Sequence, residues 1–196
     1  VVQPTAYLGH GKVGGSIRKK SQIPKPFSRS HAGTDLYILG YLGGAEWERE
    51  LTRSVIENFW PAIHNGTLEV FVAKTRVTKK TLPKLLEKFS HDRDFMAHGY
   101  FRAYTGDDAR QFAEKLPQLQ AVSARFLIGN VEFPNRVAMV RQTGMVIYLK
   151  LYRSLVPFVG VFECRNDTGN EMLREMEPPR HDVWDPDHPE KGQHKK

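Results

Sequence analysis

R-S-H-A-G-T-D-L-Y-I-L-G-Y-L-G-G-A-E-W-E-R-E-L-T-R-S-V-I-E-N-F-W-P-A-I-H-N-G-T-L-E-V-F-V, residues Arg29 to Val72, is the stretch whose reading decides the fold. Leu36 and Ile38 alternate with Asp35 and Tyr37, and the run ends at Gly40, Gly43 and Gly44, the two-residue period and glycine stop of a sheet strand. Trp47, Leu51, Val55, Phe59 and Ile63 then recur every fourth residue, which predicts a helix with these side chains inward and Glu48, Arg49, Arg53 and Glu57 outward. Asn65-Gly66 stops it, because glycine accepts the left-handed conformation of a helix C-terminus. Leu68, Val70 and Val72 alternate again as a second strand. Strand, helix and strand with short connections predict a βαβ unit covering one face of a sheet.

Working outward, Leu82, Leu85, Leu86 and Phe89 fall at helical spacing between Lys79 and Phe89, and Asp94 to Tyr104 reads as another helix. Asp107 is expected to cap a short helix with Phe112, Ala113 and Leu116 inward. From Val122 the chain turns strand-rich. Val122, Ala124, Phe126 and Ile128 alternate with polar neighbours, Val137 to Arg141 and Met145 to Lys150 flank Gln142-Thr143-Gly144 as a hairpin with a polar tip, and Phe158 to Cys164 supplies another strand. Thr168 with Glu171 reads as a capping box for a helix carrying Met172, Leu173 and Met176, ended by Pro178-Pro179. The fold class is α/β (α+β): a mixed sheet with helices on one face, followed by a strand-rich second α/β layer. The expected organisation is residues 1–74, 75–176, and a polar tail 177–196 pinned by Trp184.

Three motifs in order carry a resemblance: W-x(3)-L-x(3)-V-x-E-N-F-W-x-A-I-x-x-G-x-L-E-V from Trp47, R-Q-T-G-M-V-I from Arg141, and M-E-P-P-R-H-D-x-W-D from Met176. With Gly33-Thr34 ahead of them, the chain from Gly33 to Asp185 resembles a subset of bacterial GHKL-type ATPases, the group of gyrase, the ninety-kilodalton heat-shock chaperones, histidine kinases and MutL. The resemblance implies the end of an ATP-binding domain (1–74) followed by a transducer-like domain (75–176). It implies ATP and Mg as cofactors, with ligands outside this chain. Gly33 and Thr34 would lie at the adenine end of the pocket. Arg141, Gln142 and Thr143 would reach toward the terminal phosphate from a hairpin tip whose side chains project freely, and Lys12 would belong to the mobile lid. The family's magnesium-binding asparagine, catalytic glutamate and D-x-G loop are absent ahead of Gly33, and Glu57-Asn58 comes after the Gly-Thr pair, in the wrong order. No catalytic residue is therefore assigned, and the chain is not expected to hydrolyse ATP alone.

Composition bounds the remaining classes. Lys and Arg number 29 against 22 acids, a net charge of +7, which favours acidic partners: nucleotide phosphates, or nucleic acid through Arg18-Lys19-Lys20, Lys79-Lys80 and Lys195-Lys196. A basic nucleic-acid-binding module, with Tyr100, Phe101 and Tyr104 as stacking rings, is the first alternative function, and an α/β structural or assembly module, with a homodimer among its assemblies, is the second. Gly9-His10-Gly11-Lys12-Val13-Gly14 matches G-x-G-x-x-G but precedes Pro24 and Pro26, which block the helix such a loop must open. His91, Asp92 and His98, and the His181-Asp182, Asp185 and Asp187-His188 run, are weighed as divalent-cation ligands, and no metal site is assigned to either. The single cysteine, Cys164, excludes an internal disulfide and fits a reducing compartment. With no apolar run of membrane-spanning length, a cytoplasmic, non-membrane protein is expected. The chain opens on Val1 rather than Met, and whether it is a fragment is not read from the sequence.

Overall fold

In the computed structural model the described residues are 43–92 and 94–187, with isolated positions 19, 21, 23, 25, 32 and 34 before them. The chain divides into two units, Val1–Leu42 and Gly43–Lys196, and every element below belongs to the second. Gly33, Lys12, the glycine motif at 9–14 and the expected strand at 35–38 lie outside the described residues.

Helix α1 (Trp47–Asn65) ends at Gly66, whose φ of 77° and amide bonds back to the Ala62 and Ile63 carbonyls form the expected glycine stop. Its buried face is not the expected stripe. Thr52, Ile56, Trp60 and Ile63 face the core, while Leu51 is 44% exposed and Val55 and Phe59 are half-buried. A strict four-residue spacing drifts by about 40° per step on a 3.6-residue helix, so Trp47 and Ile63 end up on different sides.

Beyond Gly66 the βαβ expectation fails on its second strand. Strand β1 (Val70–Val72) pairs antiparallel with β2 (Thr75–Val77) in a separate two-stranded hairpin. Ala73 at φ 49° lets the chain reverse within two residues, so β1 meets its own successor before it can reach a longer sheet. The expected boundary at 74/75 falls inside this turn, and Val77 joins the same core as Ile56 and Trp60. Helices α2 (Leu82–Phe89) and α3 (Ala97–Thr105) follow, with Leu82, Leu86 and Phe89 buried as their spacing predicts.

The main sheet contains β3 (Arg110–Leu116), β4 (Gln120–Ile128), β5 (Arg136–Val140), β6 (Val146–Leu151) and β7 (Phe158–Cys164), in the order β3-β4-β7-β5-β6. Only β5 and β7 run parallel, so the sheet is mixed and the protein is α/β. The helix expected after Asp107 is strand β3. Phe112 and Ala113 with Leu116 fit a helical period, yet the hairpin turn before Gln120 (φ 55°) returns the chain along the open edge of β4, and pairing decides the conformation. Phe112 is 51% exposed and meets Phe126 edge-on at 5.7 Å.

One sheet face presents Leu127, Ala138, Val140, Val146, Val159 and Val161 to α1 and α3. The opposite face carries a smaller core of Cys164, Leu173 and Trp184, packed by Val122, Met139, Ile147, Tyr148 and Phe162. Leu173 comes from α4 (Asp167–Glu175), whose cap is Asn166 rather than Thr168: its Oδ1 accepts from the Gly169 amide at 2.7 Å. Asn166 also donates to the Leu119 and Ala121 carbonyls at 2.9 and 2.8 Å, which ties the helix start to the sheet and displaces the expected capping box. Trp184 is buried and pins the segment after α4, as the sequence predicts. Among the described residues no helix is long and apolar enough to cross a membrane.

Candidate functional site

The hairpin of β5 and β6 does carry Arg141, Gln142 and Thr143 at its turn. The Gly144 amide closes the turn on the Arg141 carbonyl at 2.7 Å, the Arg141 amide reaches the Met145 carbonyl at 2.8 Å, and Gly144 has φ 82°. These are the marks of a tight turn finished by a left-handed glycine.

The side chains do not project freely. Arg141 donates through Nε to Glu177 Oε1 at 3.0 Å and through Nη2 to Glu177 Oε2, a two-pronged ion pair. The Glu177 carboxylate is 2% exposed and also accepts from Trp184 Nε1 at 3.2 Å, with His181 Nδ1 at 2.9 Å. A carboxylate so removed from water is stable there only with such partners. Gln142 is exposed, but its amide nitrogen lies 2.9 Å from Asp167 Oδ1 and 3.3 Å from the Arg165 carbonyl. Thr143 is exposed, and its hydroxyl and the backbone amides of Gln142 and Thr143 have no protein acceptor among the described residues. On the far side, Gly144 lies so close to α1 that a Cβ there would sit 2.6 Å from the Ala62 nitrogen. The turn is thereby braced against α1, the start of α4 and the segment after α4.

Thr34 is exposed and in no regular secondary structure, and Gly33 and Lys12 are outside the described residues. Glu57 and Asn58 serve their own helix: Glu57 Oε1 accepts from Arg53 at 3.2 Å and Asn58 donates to the Ser54 carbonyl at 2.8 Å. Lys79 and Lys80 are exposed, but the expected stacking rings are not. Tyr100 and Tyr104 are 2% and 8% exposed, and Phe101 is half-buried edge-on to Trp60. Aromatic residues on a short helix between a longer helix and a sheet go inward. Among the described residues no group of three or more His, Cys, Asp or Glu side chains forms a metal site; Asp92 instead pairs with Arg49 at 2.5 Å.

Two clefts escaped the sequence reading because each gathers residues from three or more elements. A polar one of about 490 Å³ lies at the C-terminal ends of α1 and α3, where Arg165 binds Tyr104 Oη at 2.6 Å and Glu163 Oε2 at 2.9 Å. Burial pushes the Tyr104 phenol up, the Glu163 carboxylate raises Arg165, and burial together with Lys79 pushes His64 down. The second, of about 620 Å³, lies between α1, the start of α3 and strands β5 and β6. No family model, curated protein or solved structure matches the chain.

Proposed function

We propose that this chain is part of a GHKL-type ATPase, contributing to ATP binding and transmitting nucleotide state rather than hydrolysing ATP alone. The braced Arg141–Gly144 turn carries this reading. A sensor of the terminal phosphate must be exposed at one end and mechanically tied at the other, and this turn meets both conditions. A phosphate arriving there would meet the Gln142 and Thr143 amides and the Thr143 hydroxyl, with the Arg141 guanidinium held behind them by Glu177. Phosphate oxygens are well suited to such donors, and their charge disappears with the departing group. Loss of that anion would be felt through Gln142 at Asp167, through Arg141 at Glu177, and through Gly144 at α1.

The experiment is a comparison of ATP and ADP affinity and of turnover in the full-length parent for Gln142→Ala and Thr143→Ala, with Thr34→Ala as the adenine-side control. Thr143→Ala should lose about tenfold or more in ATP affinity relative to ADP, since one charge-assisted hydrogen bond is worth about 1.5–3 kcal/mol, and Gln142→Ala, which keeps its backbone amide but loses the link to Asp167, should blunt the response of turnover to ATP. Thr34→Ala should weaken both nucleotides alike. Normal ATP binding and turnover in both tip variants would reduce the hairpin to a structural turn.

A further inference from the structure

The cleft of about 620 Å³ collects hydrogen-bond donors that are weakly partnered or unpartnered among the described residues. Tyr100 is 2% exposed, and its hydroxyl is buried without a partner among the described residues. Native proteins rarely leave such a group unsatisfied, so its presence asks for an explanation. Arg136, half-buried on β5, has the Met96 thioether sulfur at 3.9 Å as the hydrogen-bond acceptor of its guanidinium, and sulfur is a weak acceptor. The third donor is the start of α3. Its nine residues begin after Met96 with no side-chain cap and no acid in the first turn, and the Ala97 and His98 amides have no protein acceptor among the described residues. A helix N-terminus in that condition keeps its partial positive charge available to an anion. Burial pushes the Tyr100 phenol up, and the Arg136 charge opposes that shift.

Of the two acids in the lining, Glu57 is tied to Arg53 at 3.2 Å and Asp94 is exposed with φ 65°. The rest of the lining includes Trp60, Val146 and Leu149, an apolar wall. The volume is in the ordinary range for a small-molecule site, which pairs an apolar surface with a few convergent polar groups.

We infer that this cleft binds a small organic anion, its carboxylate or phosphate oxygens received by Arg136, the Tyr100 hydroxyl and the α3 N-terminus, and its apolar body laid against Met96 and Leu149. The site is separate from the Arg141 turn, and its test is independent of any nucleotide response.

The test titrates the full chain by NMR and calorimetry with benzoate, phenyl phosphate, benzyl alcohol and benzylamine. Saturable binding of benzoate or phenyl phosphate, with shifts at Tyr100 and Trp60, is the expected result, and the preference between the two anions names the group recognised. Benzyl alcohol and benzylamine should bind far more weakly. Arg136→Gln should weaken the preferred anion about tenfold or more, as expected for losing a charged donor. Tyr100→Phe should weaken it severalfold and still fold, because the ring fills the same space. The inference is overturned if neither anion binds at millimolar concentration, if benzylamine binds best, or if both variants bind like the parent. The first of these results would leave water as the partner of the Tyr100 hydroxyl.

Discussion

The Ala62 amide in α1 donates to the Gly144 carbonyl at the tip of the β5–β6 hairpin, 3.1 Å away. Pro61 lies within that helix turn and contributes no N–H of its own, and the helix surface beside it is where the hairpin docks. The contact leaves no room for a side chain on Gly144, since an added Cβ would meet the nitrogen, Cα and Cβ of Ala62 at 2.6–2.8 Å.

Gly144→Ala is accordingly expected to destabilise the protein by about 2–4 kcal/mol, combining a residue forced to positive φ with an overpacked backbone contact. Gly129 provides the control, because it has φ 94° but nothing within 4 Å of its added Cβ. Gly129→Ala should cost about 1–2 kcal/mol, the conformational part alone. Urea denaturation of the two variants measures the difference; equal losses would mean that the hairpin tip and α1 are not in contact in solution.

Arg141→Ala should be a folding defect. It leaves the Glu177 carboxylate, 2% exposed, with a tryptophan N–H and His181 but no guanidinium, and breaking a buried pair from one side costs about 3–5 kcal/mol. The low end applies because Arg141 itself is 28% exposed and water can enter its place. A double-mutant cycle with Glu177→Gln, read by denaturation, should show strong coupling between the two positions. Additive losses would contradict the pair.

The His64 imidazole, pushed below its ordinary value by burial and then by Lys79, gives a signed pH dependence. Its folded-state pKa lies under the unfolded value near 6.5, so the unfolded chain binds more protons in the window between them. Its stabilising contribution is present above that unfolded value and is lost as pH falls through the window. The parent should therefore lose stability between neutral and mildly acidic pH more steeply than His64→Gln. Lys79→Gln should move the His64 NMR titration upward; an unchanged titration would remove the lysine from the account.

Cys164 is fully buried, and burial pushes its thiol up. The thiolate is the reactive form, so the native protein should react with an aromatic disulfide reagent at the rate of its own opening rather than at the rate of an exposed thiol. With a single cysteine in the chain, the reaction reads Cys164 alone. Rapid labelling under native conditions would show that the smaller core around Leu173 and Trp184 opens readily.

Local pattern was enough where an element's period and punctuation concern that element only. The span of α1 and its Gly66 stop, the amphipathic α2, the β5–β6 hairpin with its polar turn, and β7 were all legible from side-chain spacing, as was the mixed α/β class. Tertiary structure decided the rest, because the deciding forces act between residues far apart in sequence. A strand such as β3 forms because β4 offers unpaired backbone groups, which Phe112 and Leu116 cannot announce. The inward face of α1 depends on which neighbours cover it, and Ile56 and Trp60 win over Leu51 because the sheet and α3 lie on their side. At the tip, R-Q-T-G predicted exposure. Only the folded chain brings Glu177 across 36 positions to hold Arg141 and turns the Ala62 amide toward Gly144. Spacing reports where a side chain points along its own element; desolvation and hydrogen bonding across elements decide what it meets there.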